Sequence, residues 1–419
     1  MILRPNIVIN ILIILAIAVI VGLTFANYQY TSQYPGGNDF LSRWMGTRLF
    51  LLKGESPYSE TTTQAIQEMM YGRPARPDED QVLFVYPLFS IYIFAPFSLV
   101  GNYSLARALW MTTLEIAIIA LAVISVVLSR WRMPRWIMIL LFIFVVSWYY
   151  GIRPVFNGNV AVLVALTIGG IFLALRSNHD FLAGLLMAIT MVKPQMVVLL
   201  IPYIIIWAIS HQRWTVVWGF IGSLGILTAS CMLLIKDWII QNLRQVLSYP
   251  SYTLPGTPGA IFTEWLPGIG KQMGWALTIF LLVVLIWEWL QSRNKDFNWF
   301  YWTGVLTLVV TNLVGIRTAT ENYIAMLPAL VLVFSLFDER WRIIGRIIVL
   351  LSIFALLGGT WLIFIKTLQP GDQPIQSPIM FFILPSYLLI GLYWVRWWAI
   401  NPPRLLFEEF REKYKEIIE

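Results

Sequence analysis

The chain has 419 residues, of which 58% are hydrophobic and only 12% are charged. Its mean hydropathy of +0.73 excludes a soluble globular protein, because the apolar residues form long runs that a soluble core could not bury. The net charge of +7 comes mostly from Lys and Arg in short loops between these runs, so it does not indicate nucleic-acid binding. The single cysteine, Cys231, excludes an intramolecular disulfide and a thiolate metal site. Together these features predict an all-α polytopic membrane protein.

The first apolar run, 7–26, is too long for the core of a signal peptide and predicts the first membrane helix. Basic segments at 130–135, 293–295 and 340–346 favour the cytoplasmic face, because short cytoplasmic loops are rich in Lys and Arg. With these segments inside, the region 27–101 lies outside.

The apolar run at 84–100 is short and is broken by Pro87 and Pro96. If it crossed the membrane, the basic segment 130–135 would lie outside, against the positive-inside rule. We therefore predict a re-entrant or surface-lying hairpin that packs on the protein.

The apolar run between Arg176 and Arg213 starts and ends at residues that both favour the cytoplasm, so it must cross an even number of times. It is too long for one helix of about 20 residues and too short for two. We predict two short helices that turn at Lys193-Pro194 near the external side. The alternative is a single kinked helix with a snorkelling Lys193.

Six further segments alternate in direction, at about 215–235, 274–291, 298–315, 322–337, 343–365 and 378–396. The chain is then a single domain, 1–419, with about twelve membrane segments and both termini in the cytoplasm. Its two largest external loops are 27–101 and 236–273, and the segment GIRPVFNGN at 151–159 is predicted as a short external loop. Within the second, residues 249–270 mix Pro, Gly and aromatic residues and predict an ordered lid, although Glu264 there is also compatible with simple solvation.

Charged residues gather near the predicted external boundary: Asp39, Arg153, Lys193, Glu264, Arg317 and Glu321. Arg153 and Arg317 oppose the positive-inside bias, and such charges are usually held by a counter-ion or a ligand. Bidentate binding of a phosphate and a structural ion pair with Glu321 or Asp39 both remain open. Asn157 and Asn159 are candidates for binding sugar hydroxyls, although Asn-Gly is also a common turn.

Asp39 follows the first membrane helix and opens a segment with apolar residues on one helical face and Ser42, Arg43, Thr47 and Arg48 on the other. This pattern predicts an amphipathic helix at the membrane surface, with Asp39 as its N-cap and Gly54 just past its end. Spacing alone favours capping over catalysis. The two roles are compatible only if one carboxylate oxygen remains free.

Four tracts resemble glycosyltransferase family 87, the polyprenol-phosphate-mannose-dependent mannosyltransferase-like proteins of the GT-C superfamily. In chain order they are NDFLSRWMGTRLFLLKGESPY, VYPLFSIYIFAPF, NGNVAVLVAL and AGLLMAITMVKPQMVVLLIPYII. Their order and spacing carry the resemblance, which covers the first half of the chain well and the rest by hydropathy.

The resemblance implies a GT-C-like bundle in the cell membrane and a polyprenyl-phosphate sugar donor, mannose, bound on the extracytoplasmic side. It implies inverting, metal-independent transfer, with no cofactor, to a lipid-linked or cell-envelope acceptor. In that superfamily an acidic residue after the first helix is the presumed general base, which corresponds to Asp39. The leaving phosphate would then be stabilised by Lys193, Arg153 or Arg317, and the substrate-binding candidates are Asn157, Asn159, Glu321, Asn322 and Glu264.

One departure concerns the segment TATENYIAMLPAL, where related proteins often carry histidine near the start and this chain has Glu321-Asn322. The main alternative is a polytopic transporter or lipid-linked-glycan flippase. That class commonly shows paired repeats and ionisable groups near the membrane midplane, and the sequence shows neither clearly. An acyltransferase would need a nucleophile or histidine on the active face, whereas His179 and His211 are predicted on the other.

Overall fold

The computed structural model describes residues 5–77, 79–248, 256–314, 316, 318–368 and 377–401, and these residues form helices and connecting segments without a strand. Arg317 and residues 249–255 of the predicted lid lie outside the described residues.

The helices in chain order are α1 Pro5–Gln33, α2 Asn38–Lys53, α3 Glu60–Tyr71, α4 Ile91–Ser98, α5 Tyr103–Leu128, α6 Arg135–Ser147, α7 Tyr149–Asn157, α8 Ala161–Arg176, α9 Asp180–Thr190, α10 Leu200–Ser210, α11 Trp214–Leu234, α12 Trp238–Ser248, α13 Pro258–Trp265, α14 Gly270–Ser292, α15 Phe297–Thr311, α16 Leu327–Phe354, α17 Thr360–Thr367 and α18 Met380–Ile400. Short 3₁₀ helices lie at Leu88–Ser90, Pro194–Met196 and Thr320–Met326.

Within the described residues, six helices are long and apolar enough to cross a membrane, or seven if the bent pair α6–α7 is one span. This confirms the prediction of a polytopic, all-helical membrane protein. Helix length does not confirm about twelve segments, because α8, α9 and α10 are apolar but have only 16, 11 and 11 residues.

The longest of the six, Thr320–Thr367, has 48 residues and would be roughly 70 Å long if it were straight. Arg342 interrupts it with a non-helical backbone (φ 46°, ψ −108°). Both ends return to Arg153, whose Nε lies 3.6 Å from Glu321 Oε1 and whose guanidinium carbon lies 5.5 Å from the Phe364 ring centroid. The stretch therefore folds back on itself at Arg342.

Segments that were predicted to share the cytoplasmic face contact one another at one end of the bundle, which we call the basic end. Trp131 Nε1 donates to Asp338 Oδ2 at 2.9 Å, linking the 130–135 segment to the bend in α16. Arg176 Nη1 donates to Val127 O at 2.7 Å, and Trp207 Nε1 donates to Lys295 O at 3.2 Å.

The run between Arg176 and Arg213 also begins and ends together, because Arg213 forms an ion pair with Asp180 at the start of α9. The chain leaves helical geometry after Thr190 and turns through Lys193 before α10 returns. A Cβ at Gly184 would lie 2.5 Å from backbone atoms of α11, so α9 and α11 pack backbone to backbone. These contacts agree with two short helices rather than one kinked helix. We call Asp180–Ser210 the α9–α10 hairpin.

Two predicted external loops contain helices. The 84–100 run forms only the helical segment Leu88–Ser98, about 16 Å long, which is too short to span a bilayer core of about 30 Å. The segment GIRPVFNGN, predicted as a loop, belongs largely to α7, since the chain bends by 41° after α6 and then resumes helical geometry. Gly158 ends α7 with a left-handed backbone (φ 71°), as expected for a glycine just past a helix.

Candidate functional site

Asp39 does not cap α2, so the predicted N-cap role is wrong. Gly37 occupies the N-cap position with a left-handed backbone (φ 79°), and Asp39 is the second residue of the helix. The Arg107 side chain fills the space beside Gly37, where a Cβ would lie 2.3 Å from Arg107 Nε. Gly54 ends the helix with φ 71°, as predicted. The Asp39 carboxylate is therefore available for other contacts.

The two oxygens of Asp39 have different surroundings. Oδ2 accepts hydrogen bonds from Asn157 Nδ2 at 2.7 Å and from Asn159 Nδ2 at 2.8 Å. Oδ1 lies 3.6 Å from Arg43 Nη1, and the side chain is 27% exposed. Two amides thus hold one oxygen, while the carboxylate also lines a small, partly open cleft of about 30 Å³.

Lys193 enters this network from the tip of the α9–α10 hairpin. Its Nζ donates to Asn159 Oδ1 at 2.7 Å, and the residue is only 4% exposed. The same amide oxygen accepts from the backbone N–H of Ala161 at 2.9 Å. The structure therefore brings together Asp39 and Lys193, which were both predicted near the external boundary, and the Asn159 amide links them.

Glu321 and Arg153 form a second branch. Glu321 Oε1 lies 3.5 Å from Asn157 Nδ2 and 3.6 Å from Arg153 Nε. Glu321 is buried in the 3₁₀ helix Thr320–Met326, where a neighbouring residue, Asn322, instead donates to Thr318 Oγ1 at 3.1 Å. Of the two interpretations of Arg153, the ion pair with Glu321 is present, although its distance is long.

The cleft beside Asp39 is lined by Asn38, Asp39, Arg43, Asp80, Val82 and Leu83. Arg43 is buried, and its guanidinium carbon lies 4.1 Å from the Tyr86 ring centroid. Asp80 belongs to the connection between α3 and α4, outside the membrane-spanning helices. Burial raises the pKa of its carboxyl, a hydrogen bond from the Val82 N–H opposes this effect, and the nearby Asp39 charge adds to it.

Arg43 and Asp80 were not among the residues predicted for the site. The amphipathic pattern placed Arg43 with Ser42 and Thr47 on an exposed polar face, but all three are buried. The prediction of a surface-lying helix is therefore wrong for the first half of α2, because tertiary contacts cover both of its faces. Asp80 lies 41 positions after Asp39, and no local motif marks it.

Arg107 is a third residue that sequence reasoning missed. It is 2% exposed, and its guanidinium donates to Tyr34 O at 2.6 Å, Pro35 O at 2.8 Å and Phe156 O at 2.7 Å. These bonds join the loop before Asp39 to the end of α7. An arginine near the start of a predicted membrane helix was the signal that could have found it.

Two predicted site residues are not brought to this cluster. Glu264 is exposed on α13 and shares no hydrogen bond or ion pair with Asp39, Lys193 or Glu321. Arg317 lies outside the described residues, so its predicted role stays a prediction. His211 lies at the basic end, with its ring centroid 4.3 Å from that of Trp207.

The fold and the site define an all-helical membrane protein with a carboxylate held by amides and cations. The family model for glycosyltransferase family 87 matches residues 84–312, more than half of the chain. The chain therefore belongs to glycosyltransferase family 87 and is a glycosyltransferase, which confirms the resemblance seen in its sequence. Arg153, Asn157, Asn159 and Lys193 lie inside the matched range, whereas Asp39 precedes it and Glu321 follows it. No curated protein and no solved structure gives a significant match.

Proposed function

We propose that this glycosyltransferase moves a sugar, mannose, with inversion from a polyprenyl-phosphate donor to a lipid-linked or cell-envelope glycan acceptor, and that Asp39 is the general base. The surroundings of its two oxygens support this role, because Asn157 and Asn159 hold Oδ2 while the carboxylate still borders an open cleft. A base needs a fixed position and access to the hydroxyl proton.

In the proposed reaction, Asp39 takes the proton of an acceptor hydroxyl. The hydroxyl oxygen then forms a bond to the anomeric carbon of the donor sugar, on the face opposite the phosphate. The bond between that carbon and the phosphate oxygen breaks, and the electron pair leaves with the polyprenyl phosphate. Transfer by this route inverts the anomeric configuration.

Cations near the cleft suit the charge of the departing phosphate. Arg153 is the better placed of the described candidates, because its side chain is 29% exposed and its contact with Glu321 is long at 3.6 Å. Arg317 remains a proposed second ligand. Glu321, Asn322 and Glu264 remain candidates for the substrates, and Glu321 has the strongest support because it also contacts Asn157.

We further propose that the site faces the extracytoplasmic side and that both termini are cytoplasmic. The gathering of basic segments at the opposite end of the bundle supports this orientation. In this topology the chain has twelve membrane segments: α1, α5, α6–α7, α8, α9, α10, α11, α14, α15, the two halves of Thr320–Thr367, and α18.

The test is transfer from labelled polyprenyl-phosphate mannose to the glycan and glycolipid acceptors of a native membrane extract, by purified wild-type protein and Asp39→Asn. The variant should lose about 10²- to 10⁴-fold in rate, which is the usual contribution of a general base. It should remain folded, because an asparagine oxygen still accepts from both amides, although the ion pair with Arg43 is lost. Glu68→Gln, at an exposed carboxylate on α3, should keep wild-type turnover. Normal turnover by Asp39→Asn would show that the base lies elsewhere.

A further inference from the structure

We propose that Lys193 is a positioning residue, which sets the orientation of the Asn159 amide and through it the catalytic carboxylate, and that it does not bind the donor phosphate. This inference rests on the proposed role of Asp39 as the base.

The two ends of the Asn159 amide have nearly the same shape but opposite hydrogen-bonding properties. Its Oδ1 receives hydrogen bonds from Lys193 Nζ and from the backbone N–H of Ala161, at 2.7 and 2.9 Å. Both partners are donors only, so this end of the amide must be the oxygen. The NH₂ end is then the one that faces Asp39 Oδ2, 2.8 Å away.

The reversed amide would place two oxygens in contact, its own and Asp39 Oδ2. Carboxylate oxygens at neutral pH only accept hydrogen bonds, so this contact would repel the carboxylate from its place. The backbone N–H of Ala161 already disfavours the reversed orientation, and the ammonium of Lys193 adds a charge-assisted bond of about twice the strength of a neutral one. Lys193 thereby positions Asp39 indirectly, through its hydrogen bond to Asn159 Oδ1 and the hydrogen bond from Asn159 Nδ2 to Asp39 Oδ2.

Burial separates this role from direct phosphate binding. Lys193 is 4% exposed, and the hydrogen bond of Nζ to Asn159 holds it inside the protein. Its backbone is fixed on both sides, because its N–H donates to Thr190 O at 3.0 Å and its carbonyl accepts from the Met196 N–H at 3.1 Å. Lys193 is not among the residues that line the cleft beside Asp39, so a phosphate in that cleft would meet Arg43 before Nζ.

The α9–α10 hairpin positions the Lys193 ammonium next to Asn159. An isolated charge in a buried site is costly unless it is paired or hydrogen-bonded, and the Asn159 oxygen provides an acceptor for this ammonium. The close packing of α9 on α11 at Gly184 holds the hairpin in place. The ammonium thus contacts the oxygen end of the Asn159 amide, and Asp39 contacts the NH₂ end.

The experiment compares Lys193→Met, Asn159→Ala and the double variant, with labelled polyprenyl-phosphate mannose for turnover and sugar-free polyprenyl phosphate for binding. We expect Lys193→Met to lower kcat about 10- to 100-fold, the cost of a base displaced by a fraction of an ångström to 1 Å. The Kd for polyprenyl phosphate should change less than twofold. Adding Lys193→Met to Asn159→Ala should change kcat by no more than about threefold, because residues that act through one another are not additive.

Lys193→Gln provides the rescue, since its amide retains an N–H donor for Asn159 and should recover part of the lost kcat. If Lys193→Met does not fold, Lys193→Gln is compared with wild type by two criteria: the Kd for polyprenyl phosphate and the non-additivity with Asn159→Ala. A Kd for polyprenyl phosphate that rises tenfold would overturn the proposal and make Lys193 a phosphate ligand. Effects of Lys193→Met and Asn159→Ala that simply multiply would also overturn it.

The outcome is separable from that of the proposed function. If Asp39→Asn turns over normally, the base assignment fails whatever Lys193 does. If Asp39→Asn is inactive and Lys193→Met weakens phosphate binding, the base assignment stands and only the positioning role is refuted.

Discussion

Replacing Arg107 with methionine should damage the site without touching any residue that contacts the cleft. The substitution removes three hydrogen bonds, to the carbonyl oxygens of Tyr34, Pro35 and Phe156. Hydrogen bonds from a charged donor contribute about 1.5–3 kcal/mol each. These three residues are exposed, so water can replace part of each bond, and we estimate about 1 kcal/mol per bond, or roughly 3 kcal/mol in total.

The functional effect should exceed what this loss of stability explains. Arg107 joins the loop before Asp39 to the end of α7, so the carboxylate and the Asn157 amide lose their common support. A displacement of about 1 Å between them would lower kcat about 100-fold. Thermal unfolding in detergent and turnover at a temperature where both proteins are folded measure the two effects separately.

Arg48→Met is the matched control for Arg107→Met. Arg48 also donates to a backbone carbonyl, Ser98 O at 2.8 Å. It lies over the ring of Trp44, as Arg107 lies over the ring of Tyr30. Its contacts join α2 to α4 and do not involve α7. Its loss should lower stability by about 1 kcal/mol and leave turnover within twofold of wild type. Wild-type turnover by folded Arg107→Met, or equal turnover losses in both variants, would refute the reasoning.

Two further predictions concern single positions beside the site. Gly37→Ala should lower turnover as Arg107→Met does, because the new Cβ would lie 2.3 Å from Arg107 Nε. Gly54→Ala is its control, since Gly54 has a similar positive φ but open space around it. This control should lose stability through backbone strain and keep its turnover. Asp80→Asn should raise the melting temperature near neutral pH, because burial raises the pKa of the Asp80 carboxyl and the folded state then disfavours the ionised form. The gain in melting temperature should shrink as the pH falls through the raised pKa of Asp80 in the folded state, and it should vanish below the pKa of about 3.9 in the unfolded state. The hydrogen bond from the Val82 N–H is kept in the variant, because the Asn side-chain oxygen accepts it. A difference in melting temperature that is independent of pH would contradict this explanation.

The sequence predicted the membrane class and the fold-back at Lys193-Pro194. Both follow from constraints that act along the chain, namely hydropathy, the placement of basic loops and helix length. It named Asn157 and Asn159 only as candidates for sugar hydroxyls, and their contact with Asp39 comes from the tertiary fold. The same information does not determine how far short helices cross the bilayer. For that reason the helix lengths do not decide the number of membrane segments.

The local errors have a common physical cause. Asp39 has the spacing of an N-cap, but Arg107, from α5, packs beside the loop before α2, and Gly37 provides the conformation that this contact requires. Arg43 has the spacing of an exposed polar face, but Tyr86 covers it. In both cases a residue distant in sequence overrides a pattern that is correct for an isolated helix. Such contacts cannot be read from the spacing of residues within one helix.

The charges around the cleft suggest which contact changes when the donor binds. The described part of the cluster contains three carboxylates and three cations, which balance: Asp39, Asp80 and Glu321 against Arg43, Arg153 and Lys193. The proposed donor phosphate would add negative charge to this balanced set, so its binding would require either another cation or a cation released from its present partner. The Arg153–Glu321 contact is the one to release, because its 3.6 Å separation is beyond a good hydrogen bond and Arg153 is partly exposed. Glu321 also contacts Asn157, which holds Asp39 Oδ2. Release of Arg153 would therefore allow Glu321 and Asn157 to shift. Binding of the proposed donor would then be linked to the position of the proposed base, Asp39.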